Sequence, residues 1–436
     1  MRRSRFILPL IWALALAPGG GSPAAAQTAD TLPKDKKTGF GTFTEGSGFK
    51  IADTEHGDLN VKLFTYIRYL NQLGLDDSYT DGFGNPKTVR QRQDIQFQKV
   101  NIQFLGWLLS RKFRYLAYVW TSNTSQGQGA QVVVGGNLQY RFNQHFTVGA
   151  GIGALPTTRT TEGSFPFWLP VDNRVMADEF FRGSYTMGVW AKGDVTNRLS
   201  YSAMLGNNLS QLGVDAGQLD NTMDTWSFSL AWKPTTGEFG KLDGFGDFER
   251  HQRLATRIGG HYTHSTENRQ SQPDTDAIEN SQIRLSDGSI IFTPGLFGEG
   301  IVVNDVTYHM ASADIGAKFR GFSLELEYYW RLVNNLRGPE TEGLGEFRDD
   351  GFTLLASAMV VPKQLQVYAT GSKIYGEYGD PSEFRLGVNW YPFKSEVVRW
   401  NAQWIQLRHS PVGGNSLPFV VGGNGPVLHT DLQVNF

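Results

Sequence analysis

Two carboxylates stand two residues apart in the stretch LELEYYWR, at Glu325 and Glu327. If the stretch is an extended strand, they share one face about 7 Å apart, a separation at which two acids can in principle do acid–base work. Arg331 falls on the same face, so Glu327 and Arg331 can equally form an ion pair. The element that carries these side chains decides between the two interpretations.

Other sequence patterns for catalysis or metal binding are weak. The stretch GAGIGA at 149–154 fits the loose Gly-x-Gly-x-x-Ala dinucleotide pattern, but Pro156 and a Thr-rich segment follow where a helix should begin. The eight His show no His-x-x-x-His spacing, and PDTDAIEN lacks the glycine turn of a calcium loop. The absence of Cys excludes disulfides and thiol chemistry. We expect no metal, no cofactor and no catalytic residue.

Alternation with period two is the strongest local pattern. In GFSLELEYYWRL, Phe322, Leu324 and Leu326 face one way, while Ser323 and Glu325 face the other. A helix would scatter the charges around its circumference, whereas a strand sorts them onto one face. In TWSFSLAWK, two Trp residues stand at the two ends of the apolar face, as the two interfaces of a membrane favour.

About sixteen segments alternate in this way, and most have the ~9 to 11 residues that a tilted strand needs to cross a bilayer. They lie near 59–70, 95–107, 112–121, 131–142, 145–154, 183–192, 199–206, 225–233, 254–264, 308–319, 322–333, 352–361, 364–373, 383–391, 398–408 and 428–436. Short and long connections alternate between them, with one unusually long turn at 234–253. The pattern predicts an all-β, transmembrane antiparallel barrel of about 16 strands. The rival, a soluble sandwich or β-helix, needs neither membrane-length strands nor aromatic strand ends.

The two ends of the chain agree with this barrel. Residues 1–26 resemble a secretory signal peptide, with three Arg before an apolar run and small residues at Ala24 and Ala26; a membrane anchor is the alternative. Residues 27–58 form a short periplasmic segment and 59–436 the barrel. The last stretch, LHTDLQVNF, ends on Phe436. A terminal Phe on an alternating strand resembles the signal that the bacterial barrel-assembly machinery reads, which indicates the Gram-negative outer membrane and contact with its lipid.

Five stretches of the sequence carry a family resemblance: FQKVNIQFLGWL, YLAYVWTSNTSQGQGAQVVVGGNL, NRVMADEFFRGSYTMGVWAKG, MLGNNLSQLGVDAGQLDN and ENSQIRLSDGSIIFTPGLF. They are similar to a branch of bacterial porins close to the phosphate-selective porin O and P family. The resemblance covers about Phe49 to Phe436. It implies a sixteen-stranded homotrimer whose third outer loop folds into the pore.

Strand parity assigns more bases than acids to the inner face. The bases are Lys62, Arg68, Lys99, Arg114, Arg141, Lys192, Arg257, Lys318, Arg331, Arg385 and Arg399, and the acids are Asp314, Glu325, Glu327, Glu383 and Asp431. This excess favours anions inside a sixteen-stranded, water-filled barrel, unless the charges only hydrate the lumen or pair with one another. Outside the signal segment the chain has 37 basic and 42 acidic residues and no polybasic stripe, so nucleic acid is not an expected partner.

The third long loop, 155–182, is too aromatic to remain in water. We expect it to fold into the lumen and to form the constriction; the alternative is that it packs outward on a neighbouring subunit. Gly149, Gly151 and Gly153 on the preceding strand leave the wall bare, so that a loop backbone can approach. The constriction would present Arg159, Glu162, Asp172, Arg174, Asp178, Glu179 and Arg182.

Three functions compete for such a barrel. A passive porin for small hydrophilic solutes or anions needs only polar inner faces and long outer loops. A gated transporter needs a plug well over 100 residues long ahead of the barrel, and only 27–58 is available. An outer-membrane enzyme, a lipase or protease, needs a reactive group near the rim. The sequence favours the porin.

Overall fold

The computed structural model describes residues 41–122, 131–210, 222–268, 283–414 and 417–436. Its strands are β1 (Phe43–Thr44), β2 (Gly48–Thr54), β3 (Gly57–Asn71), β4 (Ser78–Thr80), β5 (Pro86–Thr88), β6 (Gln93–Leu108), β7 (Ser110–Ser122), β8 (Gln131–Arg141), β9 (Thr147–Ala154), β10 (Tyr185–Thr196), β11 (Leu199–Gly206), β12 (Thr225–Trp232), β13 (Ala255–Asn268), β14 (Asp305–Phe319), β15 (Phe322–Arg337), β16 (Phe347–Val361), β17 (Leu365–Tyr375), β18 (Ser382–Trp390), β19 (Val398–Arg408) and β20 (Gly425–Asn435). One short helix, α1, spans Met176–Phe181. No helix in these ranges is long and apolar enough to cross a membrane.

Sixteen of the described strands close into one antiparallel ring. β3 pairs with β6, each strand from β6 to β20 pairs with the next, and β20 returns to β3 with Leu428 opposite Asn71. Closure gives every strand in the ring two neighbours, so no open edge remains. The predicted transmembrane barrel of sixteen strands is confirmed.

The strands extend beyond the alternating segments at the loop ends. β16 begins at Phe347, five residues before the predicted start. The added residues include Arg348, Asp349 and Asp350, which do not alternate between apolar and polar. A strand needs an apolar outer face only where it crosses the membrane, so the pattern ends before the strand does. Paired backbone continues where the hydrophobic pattern has stopped.

The two faces of each strand differ sharply in exposure. Along β12, Trp226, Phe228 and Leu230 are exposed, whereas Ser227 and Ser229 between them are buried. β15 shows the same order, with exposed apolar residues and buried polar ones. An apolar exposed surface of this extent is stable against lipid or another subunit. The polar faces are therefore the inner faces of the ring.

A small hairpin completes the barrel seam. β2 pairs with the first residues of β3, Phe49 opposite Val61, just where β20 ends. The Phe436 N–H donates to Leu63 O over 2.9 Å, and its ring lies 5.2 Å from that of Phe49. Residues 41–58 of the expected periplasmic segment thus form this hairpin and the start of β3. The predicted signal peptide lies outside the described residues.

The main apolar core lies inside the ring, near the strand ends that carry the long connections. Tyr308, Tyr329 and Ile374 contribute from the wall, and Phe181 and Ile291 contribute from the connecting segments. Each of these five side chains is at most 2% exposed. The long connections therefore pack against the wall through apolar contacts.

Candidate channel site

Local polar contacts shape the segment 155–182 between β9 and β10. The Thr161 hydroxyl accepts hydrogen bonds from the N–H groups of Thr157 and Thr158, both over 2.9 Å. These bonds close a single 3₁₀ turn at Arg159–Thr161. The Thr-rich stretch, which stands where a dinucleotide site would need a helix, therefore forms a tight turn, because Thr hydroxyls satisfy backbone donors there.

Inner-face side chains hold the backbone of this segment. Arg399 Nη1 donates to Trp168 O over 2.6 Å, and Asn389 Nδ2 donates to Leu169 O over 2.9 Å. Arg385 Nη2 donates to Arg174 O over 2.5 Å. Buried carbonyl groups need such partners, and here the wall of β18 and β19 supplies them.

The start of α1 is held in the same way. The Met176 N–H donates to Glu383 Oε1 over 2.8 Å, and the Ala177 N–H donates to Ser372 Oγ over 3.2 Å. The first N–H groups of a helix have no partner within the helix. A carboxylate from β18 and a hydroxyl from β17 satisfy them, which places α1 against these strands.

The aromatic residues of the segment are covered by wall residues. Phe181 stacks on Tyr329 with 5.1 Å between ring centroids, and Phe165 meets Phe64 edge-on at 4.8 Å. The Arg331 guanidinium lies 4.0 Å from the Phe180 ring centre. These contacts bury the aromatic residues of the segment against side chains of β3 and β15.

The two carboxylates of β15 serve as acceptors for this segment. Glu325 lies 3.3 Å from Arg159 Nη2. Glu327 accepts from the Arg159 N–H over 3.0 Å and from Ser312 Oγ over 2.8 Å. The suggested Glu327–Arg331 pair is wrong, because Arg331 binds Asp349 over 2.7 Å. Both acids are thus engaged in positioning.

The predicted constriction residues are paired, and all except the half-buried Glu162 and Glu179 are buried. Lys99 Nζ lies 2.6 Å from Asp172, and Arg257 bridges Glu162 and Asp314. Within the segment, the other members pair with one another: Arg174 with Asp178 and Glu179 at 3.6 Å, and Arg182 with Glu179 at 2.5 Å. These charges hold the segment together and fasten it to the wall.

Some of the remaining basic wall residues are covered by other residues, and others line an open cavity. Arg68 is buried and donates to Gln96 over 2.6 Å, and Lys318 donates to Phe239 O over 2.7 Å. Lys62 is half-buried on the inner face of β3. In contrast, Arg114, Arg141 and Lys192 line an open cavity of about 550 Å³ near the short turns of β7 to β11.

That cavity borders the predicted segment. Arg159, Glu162 and Asp243 also line it, together with hydroxyls of Ser200, Ser202 and Ser229. Lys233 at its edge pairs with Asp243 over 2.7 Å. The bases that line the cavity outnumber the acids: they are Arg114, Arg141, Arg159, Lys192 and Lys233 against Glu162, Asp194 and Asp243.

The long turn 234–253 also contacts this site. The Phe245 N–H donates to Phe167 O over 2.7 Å, and the Arg159 guanidinium lies 4.5 Å from the Phe245 ring centre. The turn is fastened by His251, whose Nδ1 lies 2.5 Å from Asp247 and whose Nε2 lies 2.9 Å from Glu238. These two hydrogen bonds raise the pKa of His251 to about 9.

The three glycines of β9 have a different role from the one predicted. A Cβ at Gly149 would meet the Trp190 indole at 2.4 Å, and Trp190 is also the nearest neighbour of Gly153. Gly151 has φ +123° and faces the backbone of β8 at Gly136 and Asn137. The nearest atoms thus belong to Trp190 and β8, because a large cross-strand ring fills the space that the glycines leave.

Sequence reasoning missed several residues of the site. Three of them hold the segment or its wall partners: Asn389, Ser372 and Asp349. All three lie on inner faces by strand parity. Applying parity to uncharged residues as well would have identified Asn389 and Ser372. The Tyr66 hydroxyl donates to Asp172 over 2.9 Å. Parity of the charged residues could not identify Tyr66, because it is an aromatic residue on an inner face.

No family model matches the chain, and no curated protein matches it. Solved structures of similar fold include an anion-selective porin from Comamonas acidovorans, with 10% identity, TM-score 0.53 and coverage of 87% of this chain and 100% of that one. The outer membrane channel DcaP of Acinetobacter baumannii has 7% identity, TM-score 0.52 and coverage of 89% and 100%.

The trimer form of OmpT, an outer membrane protein of Vibrio cholerae, has 10% identity, TM-score 0.53 and coverage of 88% and 100%. At such identities the likeness establishes the fold. The chain has the architecture of outer-membrane porins.

Proposed function

We propose that the chain forms a water-filled channel in the Gram-negative outer membrane, through which small hydrophilic solutes diffuse passively with a modest preference for anions. The observation that carries the proposal is the cavity of about 550 Å³ lined by Arg114, Arg141 and Lys192 on the inside of a closed barrel. A sixteen-stranded ring is wide enough for an aqueous passage. The sequence resemblance to phosphate-selective porins O and P is consistent with an anionic solute.

The segment 155–182 is the proposed constriction of this channel. Its support is the set of bonds from inner-face residues, such as Arg399 to Trp168 O and Asn389 to Leu169 O. A loop packed outward on a neighbouring subunit would leave these wall groups without those partners. The constriction charges are largely compensated, so the cavity bases set the sign of selectivity through short-range charge in a narrow pore.

Conductance in planar bilayers tests the channel and its constriction. The wild-type protein should give steady ohmic steps and a reversal potential of anionic sign across a KCl gradient. Deleting residues 160–175 should raise the unit conductance, whereas deleting 341–345 from the connection 338–346, which is outside the constriction, should not. Silent bilayers combined with lipase or protease activity would favour an enzyme, and cation selectivity would contradict the proposed anion preference.

The same proposal includes assembly as a homotrimer by the barrel-assembly machinery. The solved OmpT in trimer form supports the trimer, and the exposed apolar strand faces are compatible with a subunit contact as well as with lipid. Native gels in mild detergent test it: a monomer at all concentrations would contradict it.

A further inference from the structure

Two histidines from distant parts of the sequence meet on the outer face of the barrel. His264 on β13 and His309 on β14 are direct cross-strand partners. Both side chains are half-exposed, while the alternate residues Thr263 and Ser265 are buried. The two imidazole rings are 4.9 Å apart. Their Nδ1 atoms face each other at 3.5 Å.

We propose that His264 and His309 bind one transition-metal ion of the Zn²⁺ type. Two imidazole nitrogens at about 2.0–2.1 Å from a tetrahedral zinc are about 3.4 Å apart, which agrees with the 3.5 Å between the two Nδ1 atoms. In the metal-free pair, the two Nδ1 atoms are within hydrogen-bond distance, and the tautomer decides which one carries a proton. Binding replaces that proton by the metal, with both rings protonated on Nε2 instead.

The surroundings suit a borderline-soft cation. The Tyr262 hydroxyl is within hydrogen-bond distance of His309 Nδ1, at 2.9 Å; a metal on Nδ1 would replace this bond, and the hydroxyl could then bond a water on the metal. The Trp226 ring lies 5.2 Å from Tyr262 and 5.7 Å from His264, and it covers one side of the pair. Imidazole favours Zn²⁺, Cu²⁺ and Ni²⁺, whereas Mg²⁺ and Ca²⁺ prefer oxygen ligands. A bound ion would clasp β13 to β14 on the outer surface.

A second group of possible ligands makes a useful comparison. Among the described residues, Glu238, Glu249 and His251 offer ligand atoms within 4.8 Å of one another. In that group both ring nitrogens of His251 are already engaged by Asp247 and Glu238. A metal there would have to displace two charge-assisted hydrogen bonds, whereas His309 would give up its bond to the uncharged Tyr262 hydroxyl; His264 and His309 are therefore the favoured pair.

Isothermal titration of tag-free, folded protein with ZnCl₂ in detergent tests the proposal. We expect one saturable site, and His264→Gln and His309→Gln should each weaken it by about tenfold or more, since even loss of an outer-shell partner costs roughly 10–100-fold. His145→Gln, in an exposed turn, and His251→Gln are the matched controls and should bind as the wild type does. MgCl₂ should give no saturable heat.

A spectroscopic measurement keeps the test independent of variants that fail to fold. Electron paramagnetic resonance of the wild-type protein with one equivalent of Cu²⁺ should show hyperfine coupling to two nitrogen ligands. Wild-type zinc affinity in the folded His264→Gln variant, loss of binding only in His251→Gln, or coupling to a single nitrogen would each overturn the assignment.

Discussion

Arg399 Nη1 donates a hydrogen bond to the main-chain oxygen of Trp168 over 2.6 Å, although the two residues are 231 positions apart in the chain. Arg399 Nη2 also donates to Gln433 on the adjacent strand over 2.7 Å. One buried guanidinium therefore ties the segment 155–182 to the wall formed by β19 and β20.

Removing this guanidinium should loosen the segment. Arg399→Met keeps most of the side-chain volume but leaves Trp168 O without its donor, and a buried unsatisfied group costs about 1–3 kcal/mol. We expect a higher unit conductance with additional substates in single-channel recordings. Arg408→Met, at the exposed end of the same strand, is the control; equal traces for both variants would argue against the tie.

Lys192 should influence the sign of selectivity. It lines the cavity beside Arg114 and Arg141, so Lys192→Glu changes the charge of the cavity wall by two units next to the proposed constriction. The reversal potential across a KCl gradient should move towards the cation value. Arg348→Glu makes the same charge change on an exposed side chain of β16 and should leave the potential unchanged. A shift of equal size in both variants would point to overall charge instead.

The turn 234–253 should lose stability at alkaline pH. The pKa of His251 is raised to about 9 by hydrogen bonds to Asp247 and Glu238. A raised folded-state pKa means that the protonated imidazole stabilises the turn fully below the ordinary value of about 6.5. That stabilisation declines from there and is lost as the pH rises through about 9. NMR titration of labelled histidine should show a resonance with this pKa, absent in His251→Gln.

Asp247→Asn provides the control for the cause of this shift. It keeps the size of the side chain but removes the charge of the nearer carboxylate, so the His251 pKa should fall towards its ordinary range. An unchanged titration would show that Asp247 is not the dominant partner.

Phe436 should matter for assembly of the barrel. Its N–H and ring join β3 and the hairpin residue Phe49 at the seam, where the ring closes. Deleting Phe436 should lower the yield of heat-modifiable, folded protein in the outer membrane while total synthesis is unchanged. Phe393→Ala, which removes an exposed aromatic ring from another turn, should assemble normally. Full assembly without Phe436 would contradict this role.

Much of the fold could be predicted from the sequence, because the direction of a side chain in a strand is a local property. Period-two alternation, as in the stretch from Phe322 to Leu332, identified which face of each strand is buried and which is exposed. Aromatic residues at the strand ends and the spacing of connections then indicated a membrane barrel of sixteen strands. The same parity assigned Arg257, Arg385 and Arg399 to the inner face, and all three side chains are buried.

The partners of those residues depended on the tertiary structure. Arg257 binds Glu162 from 95 positions away, and Arg385 binds the backbone of Arg174 from 211 positions away. Closing the ring is what brings such groups within hydrogen-bond distance, and it decides which bases hold a segment and which line open space. For the same reason Trp190, a cross-strand neighbour of Gly149, fills the space assigned to a loop. Side-chain direction is encoded locally, whereas proximity across the barrel is a property of the closed sheet.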